Sequence, residues 1–428
     1  MSLTDHMLEA IATRVPTPFY AYDAGALRHA FNGLKQHLPE GSDIYYSLKA
    51  NPSRAIVEVL AAEGAGCEIC SQGELAVALA AGGNRRRIIL VGPAKSEADI
   101  EAAMDTGIKA IVAESLSELR MIAAMAEARD AVQPVAIRIN PDFKSASVRI
   151  RMTGVASQFG IDEAELGEVL DFLDQQRHLV LVGLHVYLGS RILDEEAIFA
   201  NTDNILALAT RIRERLGRQL AFVDVGGGFG VRYFDRERDL DPDVLGAGLA
   251  ARISAFRATA PRTRVVIELG RYLTAQAGVF VTSVRDVKTS KGKNFAVCDG
   301  GSNVHAAAAG YGSAFRKNFP IRRLGPVKGE TMAYTLTGPL CTPSDVIGDG
   351  VELPPLAPGD LVCIERSGAY GASASPTGFL SFGHPAEIMV DGAAATLVRF
   401  ADPVDAVLER QTSQKLIAAP APEMADAI

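Results

Sequence analysis

Long apolar runs are missing from this 428-residue sequence: none is long enough to span a lipid bilayer, so we expect no membrane-spanning segment. The amino terminus lacks the basic and then apolar pattern of a secretory signal, since Asp5 and Glu9 lie close to the start. Positive charge is also in short supply, because 43 Lys and Arg face 51 Asp and Glu, a net charge of −8. This balance argues against nucleic acid or an anionic membrane surface as a general partner.

Cysteine is scarce as well. The 5 cysteines are odd in number and scattered along the chain, which suits free thiols in a reducing cytoplasm. Two of them, Cys67 and Cys70, form a CxxC motif without a second pair or a nearby histidine. The motif falls in a predicted strand, where residues three apart point to opposite faces. We therefore expect no metal site and no redox function there, and we expect a cytoplasmic protein.

The most informative segment of the sequence ends in a lysine. A short apolar strand is predicted over 44–48, Lys49 follows it, and Asn51-Pro52 stops it. Lysine is almost never fully buried without a partner. One reason for a lysine here is an aldehyde, because a lysine with a lowered pKa can form a Schiff base with pyridoxal phosphate. The alternative is that Lys49 extends from the strand end into solvent.

A strand–helix unit repeats from residue 44 onward. Short apolar runs alternate with longer Ala-, Leu- and Glu-rich stretches, which implies parallel strands joined by right-handed crossovers. The predicted strands cover residues 44–48, 67–70, 88–91, 110–113, 135–139, 180–187, 222–225 and 265–269. Eight such units over roughly 230 residues predict a closed (β/α)8 TIM barrel, with a doubly wound open sheet as the alternative.

The pattern changes after about residue 285. Strands separated by Gly and Pro turns are predicted over 279–287, 294–299, 331–337, 360–365, 386–390 and 395–400. The sequence thus predicts an α/β chain in four parts. These are an amino-terminal segment whose strand joins the β domain (1–40), the barrel (41–285), an all-β domain of sandwich or barrel type (286–410) and a tail that frays (411–428).

Reactive side chains collect where the predicted barrel strands end, which is the face that carries the active site in such barrels. The ends of the first, sixth and eighth strands supply Lys49, His185, Tyr187, Glu268, Gly270 and Arg271. The two-residue period of a strand places His185 and Tyr187 on one side of the sixth strand. These ends therefore predict a single polar site at one mouth of the barrel.

The seventh strand ends in three consecutive glycines, Gly226, Gly227 and Gly228. Each glycine costs roughly 0.5–1 kcal/mol in backbone order, and a structural turn seldom needs more than one. A phosphate group does need them, because backbone N–H groups must approach its oxygens. The Rossmann spacing GxGxxG does not fit when it starts at Gly226, since Val231 stands where the third glycine of that motif should be. We predict a phosphate site here, because barrels often bind phosphate after strands seven and eight.

Glu268 is predicted to keep a pyridine nitrogen protonated, because a carboxylate beside that nitrogen makes the ring a better electron acceptor. The alternative for Glu268 is an ion pair with Arg271. Either Tyr187 or His185 is expected to lie flat against the ring. The alternative for His185 is a hydrogen-bonded histidine of the core.

With these residues together, the sequence resembles the fold-type III pyridoxal-phosphate decarboxylases, the group of diaminopimelate, ornithine and arginine decarboxylases. The resemblance runs from about Pro18 to Val390. The matching segments are 46–51 (YSLKAN), 64–75 (GAGCEICSQGEL), 139–141 (INP), 185–190 (HVYLGS), 224–230 (DVGGGFG), 268–271 (ELGR), 338–341 (GPLC) and 368–371 (GAYG). The resemblance implies an alanine-racemase-like barrel with a C-terminal all-β domain, and a decarboxylase that requires pyridoxal 5'-phosphate.

The resemblance also implies a role for each matching residue. The implied cofactor-binding residues are Lys49, Glu68, Tyr187, Ser190, Gly226, Gly227, Gly228, Glu268, Gly270, Arg271 and Tyr370. The implied catalytic residues are Lys49, His185, Tyr187 and Cys341. Lys49 would form the Schiff base, and Cys341 would supply the proton that replaces CO2. In this family the cysteine loop reaches the neighbouring subunit's site, which implies a homodimer with active sites at its interface.

Departures from the family pattern bear on the substrate. Tyr187 stands where diaminopimelate decarboxylases have a second histidine, and Glu68 stands where the family has aspartate. The acid that binds a distal ammonium group is absent after the catalytic cysteine, since Thr342 follows Cys341 and Asp345 lies further on. Burying that ammonium group without its acid is costly. We therefore predict Thr342 and Asp345 as substrate contacts, and a substrate other than free ornithine, lysine or diaminopimelate.

The Cys-Thr-Pro-x-Asp pattern is similar to relatives in siderophore and antibiotic pathways, which implies an amino acid joined to a larger acid or to a carrier protein. Free diaminopimelate or a basic amino acid is the alternative substrate. An amino-acid racemase and a non-catalytic homologue are the alternative classes of protein. Arg149, Arg151 and Arg316 are candidate contacts for acid groups of the substrate, with solvated surface arginines as the alternative.

Overall fold

A computed structural model describes residues 2–143, 150–151, 156–311, 317–326, 329–409 and 411–414. Arg149 and Arg316 lie outside the described residues, as do the side chain of Arg151 and most of the tail that was expected to fray. The α-helices are α1 (Asp5–Ala12), α2 (Ala24–Lys35), α3 (Arg54–Ala62), α4 (Gln72–Ala80), α5 (Glu97–Thr106), α6 (Leu116–Ala128), α7 (Leu166–Gln175), α8 (Glu195–Leu216), α9 (Pro242–Thr259), α10 (Arg271–Thr274) and α11 (Ala406–Glu409).

The strands fall into two large sheets and one short pair. They are β1 (Phe19–Asp23), β2 (Ser42–Ser47), β3 (Gly66–Ile69), β4 (Ile88–Leu90), β5 (Ala110–Ala113), β6 (Gln133–Asn140), β7 (Ile150–Arg151), β8 (Ile161–Asp162), β9 (Leu179–His185), β10 (Gly189–Ser190), β11 (Phe222–Gly227), β12 (Arg264–Leu269), β13 (Gly278–Ser290), β14 (Lys293–Cys298), β15 (Ile321–Arg323), β16 (Met332–Thr337), β17 (Val346–Leu353), β18 (Leu361–Ile364), β19 (Ala386–Asp391) and β20 (Ala394–Arg399).

Eight parallel strands close into a barrel in the order β2, β3, β4, β5, β6, β9, β11 and β12. The closure is made by β12 beside β2, where Glu268 is in register with Tyr45. The prediction of a closed (β/α)8 barrel is confirmed, and the open doubly wound sheet is wrong. Each of the eight predicted strands overlaps one barrel strand.

Serine residues begin three successive helices on the outside of the barrel. Ser71, Ser96 and Ser115 each accept a hydrogen bond from the backbone N–H three residues on, which satisfies a donor that the first helical turn leaves unpaired. The residue three positions on is acidic in every case, and in α5 its side chain bonds back to complete a capping box. These serine caps therefore fix the residue at which the loop after each strand ends and the helix begins.

Aromatic rings fill the amino-terminal part of the barrel interior. Tyr45 and Phe222 are fully buried there. Gly66 and Gly183 make room for them, because a Cβ at either glycine would overlap the neighbouring ring. Apolar packing thus closes this end of the barrel, and the polar side chains described below lie at the carboxyl ends of the strands.

The second sheet forms a separate, mostly antiparallel domain in the order β17, β16, β14, β13, β1, β19 and β20. In addition, β18 pairs with β13, and β15 pairs with β18. The amino-terminal strand β1 lies inside this sheet, antiparallel to β13 and parallel to β19. Two strands of this second sheet were not predicted. β15 has only 3 residues, and β17 contains Gly348 and Gly350, which interrupt the apolar alternation.

No helix among the described residues is long and apolar enough to cross a membrane. All 5 cysteines are free, and the cytoplasmic location inferred from them stays a prediction.

One buried histidine of the β domain makes stability depend on pH. His305 is fully buried, its Nε2 donates to Ser367 Oγ at 2.8 Å, and burial lowers its pKa to about 3. An unfolded chain binds a proton at this side chain near pH 6.5, whereas the folded chain does not. We therefore expect His305 to reduce the free energy of unfolding by about 1.4 kcal/mol per pH unit as the pH falls below 6.5, down to about 3.

Denaturant unfolding at a series of pH values measures this effect. In His305→Phe the acid-side slope should decrease by that amount relative to the unsubstituted chain, while the exposed control His6→Asn should keep the original slope. An unchanged slope in His305→Phe would show that His305 takes up no proton on unfolding.

Candidate active site

Lys49 lies in a single 3-10 turn, Leu48–Ala50, that follows β2 at the carboxyl end of the barrel. Its Nζ donates to Glu68 Oε1 at 2.6 Å. The Glu68 side chain is completely buried on β3, while the Lys49 side chain keeps 35% of its surface open. The lysine is therefore neither a solvated strand end nor sealed in the core: its amine is held by a buried carboxylate and is reachable.

The pKa of Lys49 differs from the expected direction. Burial lowers it, but the negative charges of Glu68 and Glu268 outweigh burial, and the pKa lies well above its usual value. Without a cofactor the amine is therefore an ammonium group. The Lys49 pKa is not lowered as expected, because two carboxylates converge on this amine. The sequence alone did not show that they do.

A buried cluster of three titratable groups lies beside Lys49. One ring nitrogen of His185, one carboxyl oxygen of Asp224 and one carboxyl oxygen of Glu268 lie within 4.8 Å of one another, toward the carboxyl ends of β9, β11 and β12. His185 Nε2 is 3.2 Å from Glu268 Oε1. Burial raises the pKa of Glu268, but His185 and Lys49 more than compensate and bring it below its usual value. Glu268 thus remains a carboxylate, and its partner is His185 rather than Arg271.

Tyr187 lies beyond the end of its strand. Because β9 stops at His185, the two-residue period of a strand does not extend to Tyr187, so the reason given for placing both side chains on one side does not hold. His185 points to Glu268, whereas the ring of Tyr187 has Lys49 Nζ at 5.2 Å from its centroid. Burial raises the pKa of Tyr187 to about 12, so this ring is a neutral phenol. Tyr187, not His185, is therefore the aromatic surface beside the lysine.

The three glycines bring the strand ends together. A Cβ at Gly226, Gly227 or Gly228 would overlap the backbone oxygen of Val186, Glu268 or Gly189, respectively. Gly226 and Gly228 also have positive φ angles, 67° and 81°. Close backbone packing thus needs all three, and the argument that a structural turn needs only one was wrong. Ser190, half-buried in β10, contacts this bend, since its Cα would lie 3.5 Å from a Cβ at Gly228.

Arg271 begins α10 directly after Gly270 and lies among aromatic rings. Its guanidinium is 4.6 Å from the ring centroid of Tyr370, and its Nη1 donates to Tyr233 Oη at 3.0 Å. Burial lowers the pKa of Arg271, but the surrounding hydroxyl groups raise it overall, so the charge persists. The sequence analysis missed Tyr233, since no motif marks it and 38 residues separate it from Arg271.

The β domain contacts the lysine turn directly. Tyr370 has a positive φ of 56°, which is unfavourable for a non-glycine residue, and its N–H donates to the Ala50 carbonyl oxygen at 2.7 Å. Asn51 Nδ2 donates to the Gly368 carbonyl oxygen at 3.1 Å. These bonds fix Tyr370 beside Lys49 and Arg271, so the site is built from both domains.

The cysteine loop lies on the surface of the described chain. Cys341 is exposed, and Thr342 Oγ1 is 2.9 Å from Ser344 Oγ. Asp345 is buried, and its two carboxyl oxygens accept the backbone N–H groups of Ser302 at 2.6 Å and Leu340 at 2.8 Å. The carboxylate of Asp345 therefore anchors the base of the loop instead of facing a substrate, unlike the prediction from sequence.

One further thiol is close to the lysine. Cys70 Sγ lies 3.8 Å from Glu68 Oε1, and burial beside carboxylates raises the pKa of this thiol. Cys67 is buried on the other face of β3. Cys70 is thus a neutral neighbour of the site that sequence reasoning did not assign to it.

The residues present fit pyridoxal phosphate. Among the described residues, the buried carboxyl groups of Glu68 and Glu268 keep acceptor capacity: Glu268 Oε1 faces His185, but Glu68 Oε2 and Glu268 Oε2 accept no hydrogen bond. Such acceptors suit a protonated ring nitrogen. Arg271 Nε is likewise buried with no partner in the described part of the chain, which suits an anion.

Comparison with known proteins decides the family. The family profile described as "Pyridoxal-dependent decarboxylase, pyridoxal binding domain" matches residues 24–275. The chain belongs to the pyridoxal-dependent decarboxylase family.

Relatives along the whole chain are decarboxylases. The chain is 38% identical over 417 residues to an L-glutamyl-[BtrI acyl-carrier protein] decarboxylase of Niallia circulans, covering 96% of this chain and 97% of the relative. It is 31% identical over 402 residues to a diaminopimelate decarboxylase of Haemophilus influenzae, covering 92% and 93%.

Solved structures agree with the sequence relatives. The crystal structure of diaminopimelate decarboxylase from Helicobacter pylori complexed with L-lysine has a TM-score of 0.84 and 30% identity, covering 94% of this chain and 98% of that one. The predictions of a pyridoxal-phosphate enzyme and a carboxy-lyase acting on an amino acid or its conjugate are confirmed. This decarboxylase is therefore neither the racemase nor the non-catalytic homologue that were the alternative classes.

Proposed function

We propose that Lys49 is the residue to which the decarboxylase attaches pyridoxal phosphate. The support is geometric, since this amine is the accessible one beside the buried carboxylates of Glu68 and Glu268. Glu268 would hold the ring nitrogen, with Glu68 beside the amine. The groups proposed for the phosphate are Ser190, Gly226, Gly227, Gly228, Gly270, Arg271 and Tyr370.

When bound, pyridoxal phosphate supplies a ring that accepts the electrons of the bond broken as CO2 leaves. Glu268 keeps a negative charge next to that ring because His185 and Lys49 favour its ionised form. Tyr187 would offer a neutral aromatic face beside Lys49, and Tyr370 lies against Arg271, so both rings would help to exclude water from the site. Cys341 Sγ donates the proton that takes the place of CO2.

The substrate is proposed to be an amino acid whose far end is neutral because it is joined to another group. This proposal about the substrate is based on the cysteine loop. Thr342 follows Cys341, and both carboxyl oxygens of Asp345 accept backbone N–H groups. No carboxylate is thus left on residues 341–345 of the described loop for a distal ammonium group. A carrier-protein conjugate fits, since a relative with 38% identity is named for that substrate.

A secondary-metabolite pathway, such as siderophore assembly, is the proposed setting for a conjugate of this kind. Free diaminopimelate or a basic amino acid remains the second candidate, because relatives near 31% identity are diaminopimelate decarboxylases.

We also propose a homodimer with its active sites at the interface. Cys341 lies on an exposed loop that is held firmly at its base, which is the form expected of a residue contributed to a neighbouring subunit. The protein is proposed to act in the cytoplasm.

Release of CO2 from a panel of substrates tests the proposed function. We expect kcat/KM for the L-glutamyl thioester of a carrier protein to exceed the values for free glutamate, ornithine, lysine and diaminopimelate by at least about 100-fold. Turnover of a free diamino acid at about 1–1000 per second would contradict the conjugate proposal.

A matched pair of variants isolates the distal end of the substrate. Thr342→Glu restores an acid after Cys341 and should increase kcat/KM for free diamino acids, while Thr342→Gln, of the same size without charge, should not.

A further inference from the structure

Asp224 is a buried acid that the proposed chemistry does not use. It is fully buried and lies on β11, two residues before Gly226, the first of the three glycines. Its Oδ1 accepts the N–H of Gly226 at 2.8 Å. Its Oδ2 has no hydrogen-bond partner in the described ranges of the chain. A buried carboxyl group with one free oxygen either carries a proton or leaves a charge poorly compensated.

Glu268 is too close to Asp224 for both to be ionised. One oxygen from each carboxyl group and one ring nitrogen of His185 lie within 4.8 Å of one another. Two buried carboxylates at this separation repel strongly, so that one of them retains a proton. The question is which of the two acids holds it.

The surrounding groups favour a proton on Asp224. Glu268 has His185 Nε2 at 3.2 Å, and the charge of Lys49 favours its ionised form. Asp224 has one backbone N–H, which is a weaker stabiliser of negative charge than a cation. Burial and then the charge of Glu268 raise the pKa of Asp224 well above its usual value, in agreement with the contacts.

We propose that Asp224 and His185 are positioning residues that set the charge of Glu268: Asp224 holds the single proton of the acid pair, and His185 keeps Glu268 a carboxylate. The proposal rests on the proposed role of Glu268 toward the cofactor's ring nitrogen. It assigns a task to Asp224, and it moves His185 from the face of the ring to the support of Glu268.

Other charged groups around the cluster are already engaged. Lys49 and Glu68, from the turn after β2 and from β3, form one ion pair at 2.6 Å. Arg138, in register with His185 on β6, is paired with Glu114 at 2.9 Å. The balance between Asp224 and Glu268 is therefore set chiefly by His185 and by Lys49.

Infrared spectroscopy of the full-length chain without cofactor tests where the proton lies. The carbonyl stretch of a protonated carboxylic acid that is lost in Asp224→Asn should be one that shifts when the aspartate carboxyl groups carry carbon-13, and not when the glutamate carboxyl groups carry it. The variant is compared with the unsubstituted chain, so other buried acids cancel. Because removing one acid can change the charge of the other, the label decides the assignment: a lost carbonyl stretch that shifts with labelled glutamate, or no lost carbonyl stretch at all, would overturn the proposal.

The task of His185 is tested by titrating the full-length chain with pyridoxal 5'-phosphate from pH 5 to 9, the range in which a displaced carboxyl pKa is visible. Each affinity is divided by that of the unsubstituted chain at the same pH, which cancels the pH dependence of attachment at Lys49. Since Glu268 has a lowered pKa in the unsubstituted chain, a flat ratio means that the variant also keeps Glu268 ionised. In His185→Phe the pKa of Glu268 rises into the titrated range, and this ratio should fall at least about tenfold toward the acid end, as expected at a pH one unit below the raised pKa.

His185→Gln retains a hydrogen-bond donor near Glu268 and should recover most of the flat profile. A merely structural role for His185 would lower affinity equally at all pH values, and that result would overturn its assignment. Failure of the proposed function has a different signature, since the chain would then not bind pyridoxal phosphate in any form while the infrared assignment of Asp224 stood unchanged.

Discussion

Replacing Lys49 with alanine is expected to abolish covalent attachment of pyridoxal phosphate and to lower kcat for CO2 release by at least about 1000-fold. The physical reason is that the nucleophilic nitrogen is lost, while the carboxylates that surround it, Glu68 and Glu268, are kept. Visible absorbance of the purified protein and a CO2 assay measure the two effects.

The control for this variant is Lys35→Ala, a lysine on the exposed side of α2. It should keep both absorbance and activity. Retention of the cofactor's long-wavelength absorbance in Lys49→Ala would mean that a different amine carries the cofactor, and the proposed site would then be wrong.

Replacing Cys341 with alanine is expected to separate CO2 release from formation of the correct amine. The carboxyl group is lost before the thiol acts, so CO2 release should continue, but the fraction of product protonated at the correct carbon should fall below about half. Mass spectrometry of the products against CO2 evolved gives this fraction. Equal yields of amine and CO2 in Cys341→Ala would remove the cysteine from its proposed role.

Mixing the two variants tests whether sites are shared between subunits. If Cys341 acts in the partner's site, a mixed dimer of Lys49→Ala and Cys341→Ala chains has one complete site, and random mixing should restore about a quarter of the normal amine formation. If both residues act within one chain, every site in the mixture lacks one of them, and the yield of correct amine should not exceed the average of the two variants measured separately.

The barrel was predictable because its signals are local. Each barrel strand is a short apolar run between helical stretches, and serine caps mark where several of the helices begin. Two strands of the β domain escaped prediction, since β15 is very short and β17 contains glycines. Their pairing depends on distant partners, such as β16 for β17, and not on their own sequence.

The site was only partly predictable because its contacts are long-range. Lys49 and Glu268 stand at strand ends that the period of the sequence identifies. The sequence did not show that β9 stops at His185, which sends Tyr187 elsewhere. It also did not show Tyr233 beneath Arg271, because that contact joins two separate loops.

Charge in the site follows from what surrounds each group. The pKa of Lys49 is raised because carboxylates from two neighbouring strands outweigh its burial. Asp345 reads in sequence as an acid close to a catalytic cysteine, but two backbone N–H groups take both of its oxygens. In both cases the sequence identified the residue but not the groups that contact it.

The most direct test of the covalent site is reduction of the purified full-length protein, loaded with pyridoxal phosphate, by sodium borohydride, followed by digestion and peptide mass mapping. The expected result is a phosphopyridoxyl group on the peptide that contains Lys49 and on no other lysine. Labelling of a different lysine, or no labelled peptide at all, would contradict the assignment of Lys49.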